Sequence, residues 1–170
     1  MGKKNLVLLG MMAAGKTTLG KIVAKKQGLE FIDTDKSIEK KNLMTVTEIF
    51  KKKGEDFFRM EEQKEVLKSL EKNKSVIALG GGAFINKILR ENILKNSISV
   101  WLDVKLSTLE KRVKWNEKRP LLKKENKQKK LKELYDERKK IYQLADYKID
   151  CDNLEKKDIA KKIIELYEKQ

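Results

Sequence analysis

The residues best suited to chemistry lie near the start of the chain, from Gly10 to Thr17. Their order, Gly-Met-Met-Ala-Ala-Gly-Lys-Thr, matches the pattern G-x-x-x-x-G-K-[ST]. In that pattern, backbone N–H groups surround a triphosphate, the lysine neutralises its β- and γ-phosphates, and the hydroxyl binds Mg²⁺. The motif therefore predicts a site for ATP and Mg²⁺ that is formed by Ala13, Ala14, Gly15, Lys16, Thr17 and Thr18.

A dinucleotide site is the rival interpretation of any strand, glycine loop and helix. Asp33 could then be the acid that binds a ribose hydroxyl. However, residues Gly10 to Gly15 do not form G-x-G-x-x-G, and a Lys-Thr pair at the start of the helix is typical of triphosphate binding. The spacing therefore excludes the dinucleotide site.

Two carboxylates, Asp33 and Asp35, follow a short predicted strand and lie two residues apart. In extended geometry both side chains would project to the same side of the strand end. One could hold Mg²⁺ through water, while the other accepts a hydroxyl of a substrate. An alternative is that Asp35 caps the next helix, which would not exclude the other role.

The composition excludes several other chemistries. The chain has no histidine, and its only cysteine is Cys151. Catalysis by Ser-His-Asp or Cys-His, zinc sites built from Cys and His, and intrachain disulfides are therefore excluded. Any metal must be a hard cation on oxygen ligands, such as Mg²⁺.

The formal net charge of +15 raises the possibility of an acidic partner such as nucleic acid. The excess is mostly lysine, which is spread through every segment and is not interleaved with aromatic residues. We therefore interpret it as a solvated surface that steers anions, and we expect neither a nucleic-acid nor a membrane partner. Only five of the 41 basic residues are arginine, so each arginine can mark a place that needs a planar, forked donor.

The elements that must position these residues alternate between strand and helix along all 170 residues. This alternation predicts a single α/β domain over residues 1–170, with three αβα layers and a five-stranded parallel sheet. Ligands should bind beyond the carboxyl ends of the strands. The polar stretch at about 115–130 is the one candidate for a long mobile loop.

The chain contains no apolar run near the roughly 18 residues that a membrane span needs. Its apolar N-terminus superficially resembles a signal peptide, but cleavage there would destroy the phosphate-binding motif. A lone cysteine also suits a reducing compartment. We therefore expect a soluble, cytoplasmic protein, and we expect it to be a monomer.

Six motifs in order resemble the shikimate kinase family, with family-like spacing over almost the whole chain. They are the loop at Gly10–Thr17, Asp33-Thr34-Asp35, Phe58-Arg59-Met60-Glu61-Glu62, Gly80-Gly81-Gly82, Arg119-Pro120-Leu121-Leu122 and Arg138 before Tyr142. The resemblance implies a P-loop kinase fold and the phosphorylation of shikimate to shikimate 3-phosphate by ATP, in aromatic amino-acid biosynthesis.

The resemblance also implies roles for single residues. Asp35 would bind hydroxyls of shikimate as the candidate catalytic base, and Asp33 would support Mg²⁺ together with Thr17. Arg59 and Arg138 would bind the carboxylate of shikimate. Gly80, Gly81 and Gly82 would complete the substrate site, and Arg112 would complete the ATP site. Arg119 would be catalytic and would act from a mobile lid at about 115–130 that closes over the phosphates.

Two departures from the family pattern stand out. Ala13 occupies a loop position where the family usually has glycine, so the phosphate loop should be stiffer. Cys151-Asp152-Asn153-Leu154 stands where the family has a proline-containing loop that contacts adenine. Two alternatives stay open, namely a P-loop kinase for another small acceptor such as gluconate, and a nucleotide-switched protein that binds nucleic acid.

Overall fold

Five parallel strands form one sheet in this computed structural model, which describes residues 5–113 and 127–169. The order across the sheet is β2-β3-β1-β4-β5, and each neighbouring pair is parallel. The predicted five-stranded parallel sheet is therefore confirmed. The strands are β1 (Asn5–Leu9), β2 (Glu30–Asp33), β3 (Ser75–Ala78), β4 (Ser97–Asp103) and β5 (Tyr147–Asp150).

Helices cover both faces of the sheet, which gives the three predicted layers. No helix within residues 5–113 and 127–169 combines the length and apolar character that crossing a bilayer would require. The helices are α1 (Lys16–Gln27), α2 (Thr34–Asn42), α3 (Val46–Lys53), α4 (Glu55–Glu71), α5 (Lys87–Asn96), α6 (Leu106–Arg112), α7 (Lys127–Tyr142) and α8 (Lys156–Glu168), with a 3₁₀ turn at Ala83–Ile85 before α5.

The core lies around β1, which is the central strand. Every residue of this strand is buried, because helices pack on both of its faces. This is why the segment is a continuous apolar run rather than an alternating one. A capping box is present at Thr45 and Glu48, three residues apart, since each side chain accepts a hydrogen bond from the other residue's backbone N–H.

Two sequence-based expectations are wrong in detail. Asp33 and Asp35 do not share an extended segment, because Asp33 accepts a hydrogen bond from the Lys36 N–H and α2 begins at Thr34. Asp33, not Asp35, is thus the cap of that helix. The C-terminal part of the predicted lid is also helical, since α7 already begins at Lys127. The rest of the lid, residues 115–126, lies outside the described residues.

The register brings three strand ends to one edge of the sheet. Ala78 pairs with Leu8 of β1 on one side and with Asp33 of β2 on the other. The chain segments that follow β1, β2 and β3 therefore leave the sheet side by side. This edge carries the phosphate-loop motif, the two aspartates and the triple glycine.

Asn5 secures the opposite end of β1. It is 3% exposed, its side-chain carbonyl accepts from the Ser75 N–H, and its amide donates to the carbonyls of Leu70 and Lys72. These bonds fix the connection between α4 and β3 to the start of the central strand.

Replacement of Asn5 by alanine should therefore lower the free energy of unfolding by about 2–4 kcal/mol, because buried backbone groups would lose their partners. Urea unfolding of the full chain measures this. Asn92→Ala is the matched control, since that amide is exposed and donates to the Ile88 carbonyl of its own helix, and it should cost less than about 0.5 kcal/mol. Equal effects for both variants would contradict the account.

Candidate functional site

The phosphate loop leaves β1 at Gly10, where φ is 142°, and enters α1 at Gly15, where φ is 100°. A Cβ on residue 10 would lie 2.8 Å from the Leu102 carbonyl oxygen, so the backbone needs glycine there. The Lys16 ammonium donates to the carbonyls of Gly10 and Met11, both at 2.8 Å. The lysine charge is thus held against the loop, beside the N-terminus of α1.

Ala13 has φ of 62°, in the left-handed region that disfavours residues with a Cβ. Such a conformation costs about 1–2 kcal/mol for an alanine. The turn still closes, because the Ala14 N–H donates to the Met11 carbonyl at 3.2 Å. The prediction of a stiffer loop is not tested by this geometry, but the reason that glycine suits this position is clear.

The two residues predicted to support Mg²⁺ lie together. The Thr17 hydroxyl donates to a carboxylate oxygen of Asp33 at 2.7 Å, at the start of α1. Within residues 5–113 and 127–169 there is no group of three or more His, Cys, Asp or Glu side chains that could bind a metal. An oxygen pair of this kind fits Mg²⁺, which keeps several waters and takes ligands from phosphates.

Asp35 lies on the other side of the same edge, facing the triple glycine. Among the described residues its Oδ1 is buried without a hydrogen-bond partner, and a Cβ on residue 80 would lie only 2.5 Å from it. Burial raises the pKa of Asp35 to about 6, and the nearby carboxylates of Glu62 and Asp33 add to the shift. Asp35 is therefore a carboxylate that needs a donor and has an unusually high proton affinity.

Arg59 projects from α4 towards the third glycine. A Cβ on residue 82 would lie 2.5 Å from Nη1 of Arg59. Its guanidinium donates to Glu62 at 2.8 Å and to Glu55 at 3.1 Å, and it lies 5.4 Å from the centre of the Phe58 ring. This is the fixed, forked donor that the sequence predicted at this position.

Arg138 reaches the same loop from α7. It is 6% exposed, and a Cβ on residue 81 would lie 3.1 Å from Nη1 of Arg138. Four residues later Tyr142 donates its hydroxyl hydrogen to the Gly81 carbonyl. Burial raises the pKa of this hydroxyl to about 12, against the opposing effect of Arg138. The triple glycine is thus a loop that four charged side chains approach, namely Asp35, Glu62, Arg138 and Arg59.

Two residues outside the phosphate loop, Arg112 and Arg119, are also predicted to act on the nucleotide. Arg112 is exposed at the last residue of α6 and lies near the buried Cys151 thiol. The Asp152 carboxylate accepts from the Lys105 N–H and the Thr108 hydroxyl, and so caps the start of α6. Arg119 lies outside the described residues.

A model of the shikimate kinase family matches residues 12–168 of this chain. A shikimate kinase from Rhizobium leguminosarum bv. trifolii is 40% identical over 164 residues, which cover 96% of this chain and 84% of the relative. The chain belongs to the shikimate kinase family. The model match and the identity each extend over almost the whole chain.

A solved member of this family, shikimate kinase from Acinetobacter baumannii in complex with shikimate, has the same architecture. Its TM-score is 0.93 at 35% identity, covering 98% of this chain and 93% of that one. A gluconokinase from Sinorhizobium meliloti is 14% identical with a TM-score of 0.63, covering 98% and 93%. The second likeness shows the P-loop kinase fold alone, so the predicted fold is confirmed and the acceptor is not decided by the fold.

The sequence reasoning gave no individual role to Glu62 or Tyr142, although both belong to the site of this shikimate kinase family member. Glu62 is buried, one of its oxygens accepts from Arg59, and burial raises its pKa against the effect of that arginine. The helical spacing could have indicated both contacts, since Glu62 is three residues after Arg59 and Tyr142 is four residues after Arg138, and such pairs share one face of a helix. Arg90 donates to the carbonyls of Phe84 and Ile85, which follow the glycines.

The environment of Asp35 predicts that this residue lowers stability. A carboxyl whose pKa rises on folding is unfavourable once pH exceeds both its unfolded and folded values. Without ligands, Asp35→Asn should therefore raise the free energy of unfolding by about 1–3 kcal/mol at pH 8. The gain should shrink as pH falls from about 6 towards 4, because the folded-state carboxyl becomes protonated and the unfolded-state carboxyl begins to do so near its value of 3.8. Urea unfolding at the two pH values measures it.

Asp33→Asn is the matched control, because the Asp33 carboxylate accepts from both Thr17 and Lys36. That variant should be less stable than the parent at pH 8. A loss of stability for Asp35→Asn at pH 8 would contradict the account of its burial.

Proposed function

We propose that this chain transfers the γ-phosphoryl group of ATP to the 3-hydroxyl of shikimate, a step of aromatic amino-acid biosynthesis. The observation that carries the proposal is the convergence of one buried carboxylate and two arginines on a triple glycine, next to a phosphate loop. Membership of the shikimate kinase family and the shikimate-bound relative support it.

The nucleotide half is assigned to residues 13–18 and Arg112. The backbone N–H groups at the start of α1 bind the β- and γ-phosphates. Lys16 leaves its two carbonyl partners to neutralise the charge that develops on the transferred group. Thr17 and Asp33 would hold Mg²⁺, which would neutralise part of the negative charge of the phosphates.

The acceptor half is assigned to Asp35, Arg59, Arg138 and the glycines at 80–82. The two arginines bind the carboxylate of shikimate from opposite elements, α4 and α7, and so orient its ring. Because the ring is held at its carboxylate, one hydroxyl is presented to the unpartnered oxygen of Asp35. Backbone groups of the glycine loop can approach the ring closely, since no Cβ intervenes.

The transfer step follows from that arrangement. The acceptor oxygen bonds to the γ-phosphorus as the bond from phosphorus to the bridging oxygen of ADP breaks, and the hydroxyl proton passes to Asp35. The raised proton affinity of Asp35 favours that last movement. Arg119 and a closing lid complete the predicted site, and both stay predictions, as do the monomeric state, the single domain over 1–170 and the cytoplasmic location.

The acceptor is tested by measuring ADP release with shikimate, gluconate and a nucleoside monophosphate in turn. We expect turnover with shikimate alone and a phosphate monoester at its 3-position in the phosphorus NMR spectrum of the product. Turnover of gluconate without turnover of shikimate would overturn the proposal. Salt-sensitive binding of DNA or RNA, without kinase activity, would instead favour the nucleotide-switched alternative.

Arg59→Lys should raise the KM for shikimate at least tenfold, because a point charge replaces a fork fixed by Glu55 and Glu62. The KM for ATP should change less than twofold. Steady-state kinetics with each substrate varied separately measures both constants.

Arg112→Lys is the matched substitution in the nucleotide half, and it should give the opposite pattern, with the larger change in the KM for ATP. If both variants changed the same constant, the division of the site into two halves would be wrong.

A further inference from the structure

Thr34 has a buried side chain. It lies between the segment that contains Asp35 and the triple glycine, both of which are predicted to bind the substrate. It is fully buried, and its hydroxyl accepts from the Gly80 N–H at 3.0 Å while facing the Ala78 carbonyl at 3.4 Å. Neither the sequence motifs nor the proposed mechanism gives this hydroxyl a role. Both of its partners belong to the end of β3 and the glycine that follows it.

The position of this hydrogen bond in the sheet is informative. The last pair of the ladder between β2 and β3 is Asp33 with Ala78. Beyond that pair β2 becomes α2, so the two chain segments leave regular strand pairing. The Thr34 hydroxyl continues the connection by joining α2 to Gly80, two residues past the end of the ladder.

The hydrogen bond between Thr34 and Gly80 lies next to the side chains that are proposed to bind the acceptor. Thr34 immediately precedes Asp35, and Gly80 is the glycine that faces the Asp35 carboxylate and Glu62. The next glycines face Arg138 and Arg59. A shift of Gly80 relative to α2 would therefore change the gap between the candidate base and the glycine loop that the arginines approach.

The phosphate loop is joined to the same edge by other bonds. The Leu79 N–H donates to the Leu8 carbonyl, and Lys16 bonds the carbonyls of Gly10 and Met11. The two hydrogen-bond partners of the Thr34 hydroxyl lie at Ala78 and Gly80 instead. A change at this hydroxyl should consequently affect the acceptor half more than the nucleotide half.

We propose that Thr34 is a positioning residue for the acceptor, whose hydroxyl sets the separation between the Asp35 carboxylate and the loop at Gly80–Gly82. The inference rests on the proposed phosphorylation of shikimate, and it adds a residue that holds the site without touching the substrate. A hydroxyl is required because it alone can accept the Gly80 N–H and donate to Ala78 from a side chain of this size.

The test compares Thr34→Val, which keeps the shape but loses the hydroxyl, with Thr34→Ser, which keeps the hydroxyl. For the valine variant we expect the KM for shikimate to rise about tenfold and kcat to fall, with the KM for ATP within about twofold of the parent. The serine variant should stay within about threefold of the parent in all three constants. Thr34→Cys, with a weaker acceptor and donor, should fall between them.

Ser97→Ala is the control for the loss of a buried hydroxyl. The Ser97 hydroxyl donates to the Ile93 carbonyl at 2.6 Å, at the start of β4 and away from the site edge. This variant should be less stable in thermal unfolding but unchanged in both KM values. If it raised the KM for shikimate as much as Thr34→Val does, a general loosening of the fold would explain the result and the proposal would fail.

The outcomes separate this inference from the function on which it rests. If the parent chain did not phosphorylate shikimate, the proposed function would fail. If the parent were active and Thr34→Val kept its KM for shikimate, only the positioning role would fail. Should the valine variant not fold, a cysteine variant with the same constants as the serine variant would overturn the role.

Discussion

The parallel register of β1, β2 and β3 is the constraint on which the site depends. Ala78 pairs with both Leu8 and Asp33, so three strands end at the same level. The phosphate loop, the Asp33–Asp35 segment and the triple glycine then leave the sheet within reach of one another. A slip of one residue in any of these strands would invert its faces and separate the donor half of the site from the acceptor half. The apolar run of β1, buried on both faces, makes such a slip costly.

The proposed acceptor half contains two buried carboxylates that lower the stability of the fold. Within residues 5–113 and 127–169, Asp35 and Glu62 each have a buried oxygen without a hydrogen-bond partner, close to the same glycine. Burial disfavours the charged forms of both, and the other oxygen of Glu62 is bonded to Arg59. Such groups are tolerated where a ligand later supplies the missing donors. The absence of side chains at 80–82 leaves the space in which that ligand would lie.

Much of this arrangement could be predicted from residue types and spacing. The P-loop motif, the parallel sheet and the capping box at Thr45 depend on local patterns, and the structure has them. The course of the chain at Asp33 could not be read in that way, because an aspartate can end a strand and cap a helix at once. The contacts of Glu62, Tyr142 and Arg90 depend on which carbonyls and arginines the fold brings to them. Ala13 shows the same limit, since a left-handed φ at an alanine follows from loop closure and not from its own preference.

The central claim is that one edge of the sheet holds shikimate between α4 and α7 while it holds ATP at α1. A crystal structure of the chain with shikimate and a non-hydrolysable ATP analogue tests this most directly. We predict the shikimate carboxylate between Arg59 and Arg138, and its 3-hydroxyl within hydrogen-bonding distance of Asp35 on the side facing the γ-phosphate. Shikimate bound away from the glycines at 80–82, or with its carboxylate towards Asp35, would contradict the account.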